Sequence, residues 1–241
     1  MSKTVLITGG TSGIGYASAK ALKAEGNRVL ITGRDQARLD KAASELGVEA
    51  ILCDSTNAAA IVALGKRLAK DGITLDGLVL NAGIFYPRAI SDESWDNIQV
   101  TMNTNFAGPF MMMQALAGTM SNPASVVFIS SVAVEKAHPT CAAYAASKAA
   151  FEAAAGVMNV ELAASGIRVN SIRPGVTLTE IQKKAGMSDE DIAGLAESLK
   201  GLPVGRILSP ADIVPAVQYL LSDASIAMRN GHMTIDGGFG L

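Results

Sequence analysis

The stretch Thr4-Val5-Leu6-Ile7-Thr8-Gly9-Gly10-Thr11-Ser12-Gly13-Ile14-Gly15 decides the fold of this chain. Its first five residues are apolar or β-branched and predict a short strand. A helical apolar pattern follows the glycines, at Ala17, Ala21, Leu22 and Ala24. A strand, a glycine turn and a helix N-terminus in this order form an anion site, because the backbone can approach a pyrophosphate closely and free amides can bind it. Glycine-rich turns are common, so it is the position of this turn between a strand and a helix that indicates the anion site.

Strand and helix patterns alternate along the whole chain. Seven apolar segments predict strands, at Thr4–Thr8, Arg28–Thr32, Glu49–Cys53, Gly77–Leu80, Ser125–Ser130, Arg168–Ile172 and His232–Ile235. Helical periodicity predicts helices at Ile14–Glu25, Gln36–Leu46, Ala58–Asp71, Ser94–Thr119, Ala142–Ser165 and Ala211–Leu221. Since this alternation is typical of parallel sheets covered on both faces, we expect an α/β fold with a doubly wound parallel sheet of about seven strands. Residues 1–241 are expected to form a single domain.

The stretch after Pro174 interrupts the alternation. It contains a short predicted helix, Ser188–Lys200, and follows the sixth strand at the carboxyl edge of the sheet. We therefore expect residues 178–202 to form a lid over the ligand crevice that is mobile without ligand. Candidate pivots are Gly186, Gly194 and Gly201. The alternative is a permanently docked helix, which the apolar spacing of this segment would also allow.

Tyr144 and Lys148 stand four residues apart in an alanine-rich helical stretch, and Ser131 lies thirteen residues before Tyr144, after a predicted strand. Helical geometry puts positions i and i+4 on one face, so the ammonium of Lys148 is expected beside the phenol of Tyr144. A free tyrosine has a pKa of about 10, and a fixed cation nearby lowers it. The three residues therefore indicate an acid/base group. The alternative is a surface Tyr and Lys with an unrelated strand-end Ser.

Through these and further motifs, the chain resembles the short-chain dehydrogenase/reductase family over nearly its whole length. The family's motifs match, in order, at Thr8-Gly9-x-x-x-Gly13-x-Gly15, Asn81-Ala82-Gly83, Asn105 with Gly108, Ser131, Tyr144-x-x-x-Lys148 and Pro174-Gly175-x-x-x-Thr179. Six motifs in this order are not plausibly accidental. The resemblance implies a Rossmann-type fold and hydride transfer between a nicotinamide dinucleotide and a carbonyl or alcohol substrate.

The resemblance also implies a role for individual residues. The catalytic residues would be Asn105, Ser131, Tyr144 and Lys148. Tyr144 would transfer a proton, and Ser131 would orient the substrate oxygen. Lys148 would lower the pKa of Tyr144 and hold the nicotinamide ribose, while Asn105 would anchor a water that relays protons. The cofactor-binding residues would be Gly9, Thr11, Ser12, Gly13, Ile14, Gly15, Gly33, Arg34, Asp54, Asn81, Ala82, Gly83, Tyr144, Lys148, Pro174, Gly175, Val176 and Thr179, and no metal is implied.

The end of the second predicted strand bears on the choice of cofactor. Gly33 stands where NAD-specific relatives carry Asp, and Arg34 follows it. A small residue followed by Arg leaves room for a 2′-phosphate and offers it several donors, so NADP(H) is favoured over NAD(H). Asp35 could neutralise Arg34, and Ser12 stands where many NADP-dependent relatives carry a second basic residue. Arg34 as a solvated charge is the alternative. Asp54 resembles the family's adenine-contacting Asp, and its alternative role is a helix cap.

Departures from the family's pattern concern the substrate. Val134 stands where a Gly often follows the catalytic Ser, so the following loop is expected to narrow the pocket. The candidate substrate contacts are Phe85, His138, Cys141 and Met187. For His138 the alternative is a solvated loop residue, and for the apolar side chains it is packing of the lid.

The composition agrees with a cytoplasmic enzyme. The formal net charge is −2 and there is no basic run, which gives no footing for nucleic acid. No signal-peptide pattern precedes the first strand, and no apolar stretch reaches the ~20 residues of a membrane span. The two cysteines are expected to be free thiols. The family resemblance implies a homotetramer, with the helices around residues 94–119 and 142–165 paired between subunits.

These observations together favour an oxidoreductase that transfers hydride between NADP(H) and a carbonyl or secondary alcohol, such as a ketone or 3-oxoacyl-type reductase. An NAD-dependent alcohol dehydrogenase is the alternative among enzymes. A cofactor-sensing protein without turnover is the alternative from another class. The presence of Ser131, Tyr144, Lys148 and Asn105 argues against it, because such a protein has no chemical need for all four.

Overall fold

A computed structural model describes residues 2–241 of the chain. Its centre is a sheet of seven parallel strands in the order β3-β2-β1-β4-β5-β6-β7. The strands are β1 (Thr4–Thr8), β2 (Arg28–Gly33), β3 (Glu49–Leu52), β4 (Leu75–Leu80), β5 (Met120–Ile129), β6 (Ile167–Pro174) and β7 (His232–Ile235). The order reverses between β1 and β4, and in such sheets the ligand crevice lies outside the carboxyl ends of the strands at this point. The predicted fold is confirmed.

Nine α-helices surround the sheet in the described part of the chain. They are α1 (Gly13–Ala24), α2 (Gln36–Leu46), α3 (Ala58–Lys70), α4 (Trp95–Met102), α5 (Gly108–Leu116), α6 (Ala142–Glu161), α7 (Glu180–Lys184), α8 (Asp189–Ser198) and α9 (Pro210–Leu221). None of the helices formed by residues 2–241 is long and apolar enough to cross a membrane.

The two faces of the sheet carry separate apolar cores. Along β1, Val5 and Ile7 pack with α1, α2 and α9, whereas Leu6 packs with α3, α5 and α6. All three side chains are at most 1% exposed. Because successive side chains of a strand point to opposite faces, an uninterrupted apolar strand requires cover on both sides. The continuous apolar runs of the sequence therefore predicted this layered arrangement correctly.

The segment Ser94–Thr119, predicted as one long helix, is in fact interrupted. A π-helical turn, Asn103–Ala107, separates α4 from α5, and a 3-10 turn, Ala117–Thr119, ends the segment. Pro109 has no N–H to donate to the carbonyl of Asn105, so a regular ladder cannot continue there. Gly108 also lies against the Ser55 carbonyl, which would be 2.3 Å from an added Cβ. The interruption places Asn105 inside the π-helical turn, and turns of this kind are frequent at functional sites.

Candidate active site

The glycine loop after β1 has the geometry that an anion site requires. Gly13 has φ +56°, a left-handed conformation that side chains disfavour. Gly15 needs its missing side chain for space, since a Cβ there would lie 2.5 Å from both the Gly9 carbonyl oxygen and the Asn81 side-chain nitrogen. Ser12 precedes α1 without a side-chain bond to the helix. The first-turn amides of α1 are therefore free of a side-chain cap and available to a phosphate.

Thr8 and Asn81 clamp the ends of β1 and β4 together. The Thr8 hydroxyl accepts from the backbone N–H groups of Asn81 and Ala82, both at 3.0 Å. The Asn81 side-chain amide donates to the carbonyls of Thr8 at 3.0 Å and Gly9 at 3.1 Å. Thr8 was part of the sequence motif, but its role as the clamp became visible only in the structure. The clamp fixes the floor of the crevice.

The other predicted cofactor residues lie along the same carboxyl edge of the sheet. Gly9, Thr11 and Ile14 belong to the glycine loop and the first turn of α1, Ala82 and Gly83 follow β4, and Pro174, Gly175 and Val176 lie at and beyond the end of β6. Thr179 caps α7, and its side chain would be 3.2 Å from a Cβ on Gly13. The start of the lid segment thus rests directly against the glycine loop.

Arg34 follows β2 as an exposed side chain and lines a cavity of about 400 Å³ together with Thr56, Tyr86 and residues of α4. Asp35 forms no ion pair with it in the described part of the chain. The Asp35 carboxylate caps α2 by accepting from the Arg38 N–H at 2.9 Å. Among residues 2–241, Arg34 forms no ion pair, whereas the Arg38 guanidinium pairs with Glu180 of the lid. The charge of Arg34 is therefore available to a ligand.

Asp54 lies in the turn after β3 and does not cap α3. Its carboxylate accepts from the Thr56 N–H at 2.9 Å and from the Thr56 hydroxyl at 2.8 Å. The cap of α3 is Asn57, whose side chain accepts from the Ala60 N–H. The helix-cap alternative for Asp54 is therefore wrong, because the helix begins three residues later than that role requires. Its adenine contact stays a prediction.

Asn105 is fully buried and joins the π-helical turn to the loop after β4 and to α6. Its side-chain oxygen accepts from the Ile84 N–H at 2.9 Å, and its side-chain nitrogen donates to the Ile84 carbonyl and the Ser147 hydroxyl, both at 3.0 Å. Ser147 in turn donates to the Tyr144 carbonyl at 2.7 Å. Both donors of the amide are thus engaged with protein. Ser147 was missed from the sequence, where nothing marks it apart from its place next to Lys148.

The structure brings Ser131, Tyr144 and Lys148 to one place beside Asn105. Ser131 caps a 3-10 turn, its hydroxyl accepting from the Ala133 N–H at 3.2 Å. The Lys148 Nζ donates to the Ile129 carbonyl at 2.8 Å and lies 5.8 Å from the centre of the Tyr144 ring. An ideal Cβ on Gly83 would lie 3.2 Å from both the Lys148 Nζ and the Asn105 Oδ1. The loop after β4 therefore runs directly over the lysine.

Burial dominates the protonation of this group in the ligand-free protein. It raises the pKa of Tyr144 to about 12, and the Ser131 hydroxyl opposes that rise only in part. It lowers the pKa of Lys148 to about 7, against the opposing charge of Glu152. The expected lowering of the Tyr144 pKa by Lys148 is therefore not present in this state. The reason is that both groups are removed from water and the ammonium is directed at the Ile129 carbonyl.

Of the four candidate substrate contacts, Phe85 and Cys141 lie next to Tyr144. Phe85 packs edge-on against the Tyr144 ring, with centroids 5.0 Å apart. The His138 ring lies 4.9 Å from that of Phe239, and its Nε2 is buried without a hydrogen-bond partner. The solvated alternative for His138 is therefore wrong for this atom. Cys141 precedes α6 and is half-buried, and burial raises the pKa of its thiol. Met187 is partly buried in the lid.

Comparisons with known proteins agree with this geometry. A family model described as enoyl-(acyl carrier protein) reductase matches residues 9–240. The 2,3-dihydro-2,3-dihydroxybenzoate dehydrogenase of Escherichia coli is 32% identical, covering 98% of this chain and 96% of that protein. The 3-oxoacyl-[acyl-carrier-protein] reductase FabG of Chlamydia muridarum is 31% identical, covering 99% and 97%. The crystal structure of BdcA in complex with NADPH is similar with a TM-score of 0.85 at 27% identity, covering 98% of this chain and 94% of that one.

Proposed function

This chain belongs to the short-chain dehydrogenase/reductase family, and we propose that it is an NADP(H)-dependent reductase of a ketone or 3-oxoacyl-type substrate. That it is an oxidoreductase acting on CH–OH or C=O groups with an NAD(P) cofactor follows from its family. The observation that carries the finer proposal is that Ser131, Tyr144 and Lys148 lie together, with Arg34 lining a cavity at the end of β2.

The residues of the crevice fit a dinucleotide. The close approach at Gly15 and the uncapped first turn of α1 suit a pyrophosphate, which would lie against Gly13 and Ser12. Thr179, at the start of the lid segment, lies against Gly13 and would therefore be next to that group. Gly83 lies against the Lys148 Nζ, where a nicotinamide ribose could accept from the lysine. When bound, the nicotinamide would supply the hydride.

The preference for NADP(H) rests on Arg34. Its guanidinium carries a full charge and is not engaged by Asp35, which caps α2 instead. Gly33 leaves the end of β2 without a carboxylate, so the 2′-hydroxyl acceptor typical of NAD-specific sites is missing at that position. A charge-assisted contact between Arg34 and a 2′-phosphate would then distinguish the two cofactors.

Tyr144 has the protonation state that a general acid for carbonyl reduction requires. With a pKa of about 12 the phenol carries its proton throughout the neutral range, as a general acid must. Tyr144 would donate that proton to the carbonyl oxygen of the substrate, and Ser131 would hold the same oxygen by a hydrogen bond. With a pKa of about 7, Lys148 can return a proton to the phenol from the side of the cofactor ribose.

The water assigned to Asn105 would have to use its backbone. Both N–H groups of the side-chain amide are engaged with Ile84 and Ser147. The backbone carbonyl, by contrast, has no α-helical donor, because residue 109 is proline. We therefore assign the relay water to the carbonyl of Asn105 and a purely structural role to its side chain.

The substrate class is proposed from the walls of the cleft and from relatives. Phe85 and Cys141 lie next to Tyr144, His138 lies on the segment that leads to α6, and Met187 lies on the lid. Similarity to a 3-oxoacyl-[acyl-carrier-protein] reductase supports a carbonyl of that type, whereas similarity to a dihydrodiol dehydrogenase supports a cyclic alcohol. The first is retained as the proposal, and a screen of both compound classes separates them.

We also propose a homotetramer in the cytoplasm, the location resting on composition alone. Exposed apolar side chains on α4 and α6 support subunit contacts there: Trp95 is 71% exposed, Val157 57% and Val160 78%. Burial of these side chains between subunits would remove their apolar surface from water. Light scattering at micromolar concentration should give the mass of four chains, and a monomer would contradict the proposal.

The decisive experiment is a screen of carbonyl compounds and alcohols with NADPH and NADH, followed by nicotinamide absorbance. We expect 3-oxoacyl thioesters or ketones to be reduced with a higher kcat/KM for NADPH. Oxidation of an alcohol with NAD⁺, together with a higher kcat/KM for NADH than for NADPH, would establish the alternative NAD-dependent alcohol dehydrogenase. Cofactor binding without turnover of any compound would favour the cofactor-sensing alternative.

A further inference from the structure

A row of alternating charges runs along one face of α6 from Lys148, continues to Arg173 on β6 and ends at the exposed Glu135. Glu152 lies one helical turn after Lys148 and is 6% exposed. Its carboxylate accepts two parallel bonds from Arg173 at the end of β6, at 3.0 Å from Nε and 2.6 Å from the second nitrogen. Arg173 also contacts Glu135 at 2.5 Å. These four side chains carry alternating charges that cancel when Lys148 is protonated.

We propose that Glu152 is a positioning residue that keeps Lys148 protonated for the proposed reaction, and that Arg173 sets how strongly it does so. A buried ammonium without a nearby anion loses its proton easily, because the charged form is disfavoured away from water. Around Lys148, the other neighbours are uncharged in the neutral range: the Tyr144 phenol, the Ile129 carbonyl, Gly83 and the Asn105 amide. Glu152 is therefore the anion that can stabilise the Lys148 ammonium.

The groups that face Glu152 fix the direction of each substitution. Arg173 from β6 pairs with it, His232 from β7 lies 3.7 Å away, and Ser130, directly after β5, faces it. Arg173 holds the pKa of Glu152 below its usual range, so the carboxylate stays ionised although it is buried. The same guanidinium also offsets part of the negative charge that Lys148 experiences. Removing Glu152 should therefore destabilise the Lys148 ammonium, whereas removing Arg173 should stabilise it.

The test is competitive acetylation of lysines over a wide pH range, with trace acetic anhydride and mass spectrometry of the Lys148 peptide. Lys66 on α3 serves as the internal reference. In Glu152→Gln the midpoint for Lys148 should fall by about one pH unit relative to wild type, the usual size of a nearby charge effect. In Arg173→Gln it should rise. Glu161→Gln, which removes an exposed carboxylate from the same helix, should leave it unchanged.

Equal midpoints in wild type and Glu152→Gln would overturn the proposal, as would a fall in both Glu152→Gln and Arg173→Gln. Should Glu152→Gln fail to fold, the double variant Glu152→Gln/Arg173→Gln leaves neither partner unpaired and should still show a lowered midpoint. The alkaline limb of kcat should follow the acetylation midpoint. Acetylation needs no turnover, so the two proposals can fail separately. If the proposed function is wrong, the pH shifts of Lys148 will appear but no reduction will be measured. If the role of Glu152 is wrong, reduction will be measured but the pH shifts of Lys148 will not appear.

Discussion

The edge of the sheet that carries the proposed catalytic group and the predicted lid are held in opposite ways. Asn105 and Lys148 are at most 3% exposed and bonded to backbone groups of neighbouring loops and strands. In the lid, α8 contributes no buried residue, and α7 is tied to α2 by the surface pair of Glu180 with Arg38. Preorganisation matters where a proton is transferred, while a segment that admits cofactor and substrate has to release its contacts at low cost.

The largest effect is expected from Tyr144→Phe, which tests the rigid edge. The substitution removes the transferable proton and keeps the ring that packs against Phe85. We expect kcat to fall by about 10² to 10⁴, the usual cost of losing a general acid, with cofactor affinity unchanged. Stopped-flow kinetics and cofactor fluorescence titration check both values. Tyr219→Phe on α9 is the matched control, and a Tyr144→Phe variant with wild-type kcat would exclude the assigned role.

A smaller effect is expected from Arg34→Ala, at the open end of the crevice. A charge-assisted contact to phosphate is worth about 1.5 to 3 kcal/mol, so KM for NADPH should rise roughly ten- to a hundredfold. KM for NADH should stay near its wild-type value, because NADH has no 2′-phosphate. Arg67→Ala on α3 is the control for loss of a surface arginine. A similar rise with both cofactors would show that Arg34 does not recognise the phosphate.

Gly15→Ala compares the same small substitution in a crowded and an open place. An added Cβ would meet the Gly9 carbonyl and Asn81 at 2.5 Å, so the clamp between β1 and β4 must shift. Overpacking of this kind costs about 1 to 3 kcal/mol, which we expect as a lower Tm and weaker cofactor binding. Gly118→Ala is the control, since its Cβ would have no neighbour within 4 Å. If Gly15→Ala and Gly118→Ala had equal melting temperatures, the backbone around Gly15 would accommodate the added Cβ without loss of stability.

Local patterns predicted the parts of the molecule that depend on nearby residues. The apolar strands gave the sheet, and the four-residue spacing of Tyr144 and Lys148 placed them on one face of α6. The interruption between α4 and α5 was missed, although Pro109 signals it, because Gly108 is crowded by Ser55 from a distant part of the chain. The helical period alone contains no information on that contact.

Contacts between distant residues account for the remaining differences. Glu152 pairs with Arg173, 21 residues away, and Arg38 pairs with Glu180, 142 residues away. A single sequence gives no measure of which charges meet, since each of these side chains could equally be solvated. The pKa of Tyr144 was misjudged for a related reason. The spacing showed that a cation lies nearby, but the burial of both groups depends on the whole fold.

The smallest effect is expected from Glu180→Gln, which weakens the contact between the lid and α2. Exposed ion pairs are worth about 0 to 1 kcal/mol, so Tm should hardly change and KM for cofactor should shift by at most about fivefold. The sensitive measurement is hydrogen exchange across residues 178–202, in the ligand-free protein and with cofactor and substrate. Wild type should exchange rapidly when ligand-free and slowly in the complex, and Glu180→Gln should exchange faster only in the ligand-free state.

Gly186, with φ +91° and open space around it, is the position best suited to act as the pivot of this segment. Amides of α6 provide the reference, because they are expected to stay protected in both states. If the amides of 178–202 were protected equally with and without ligand, the segment would be a docked helix, and the contrast between the two regions would be one of exposure rather than of motion.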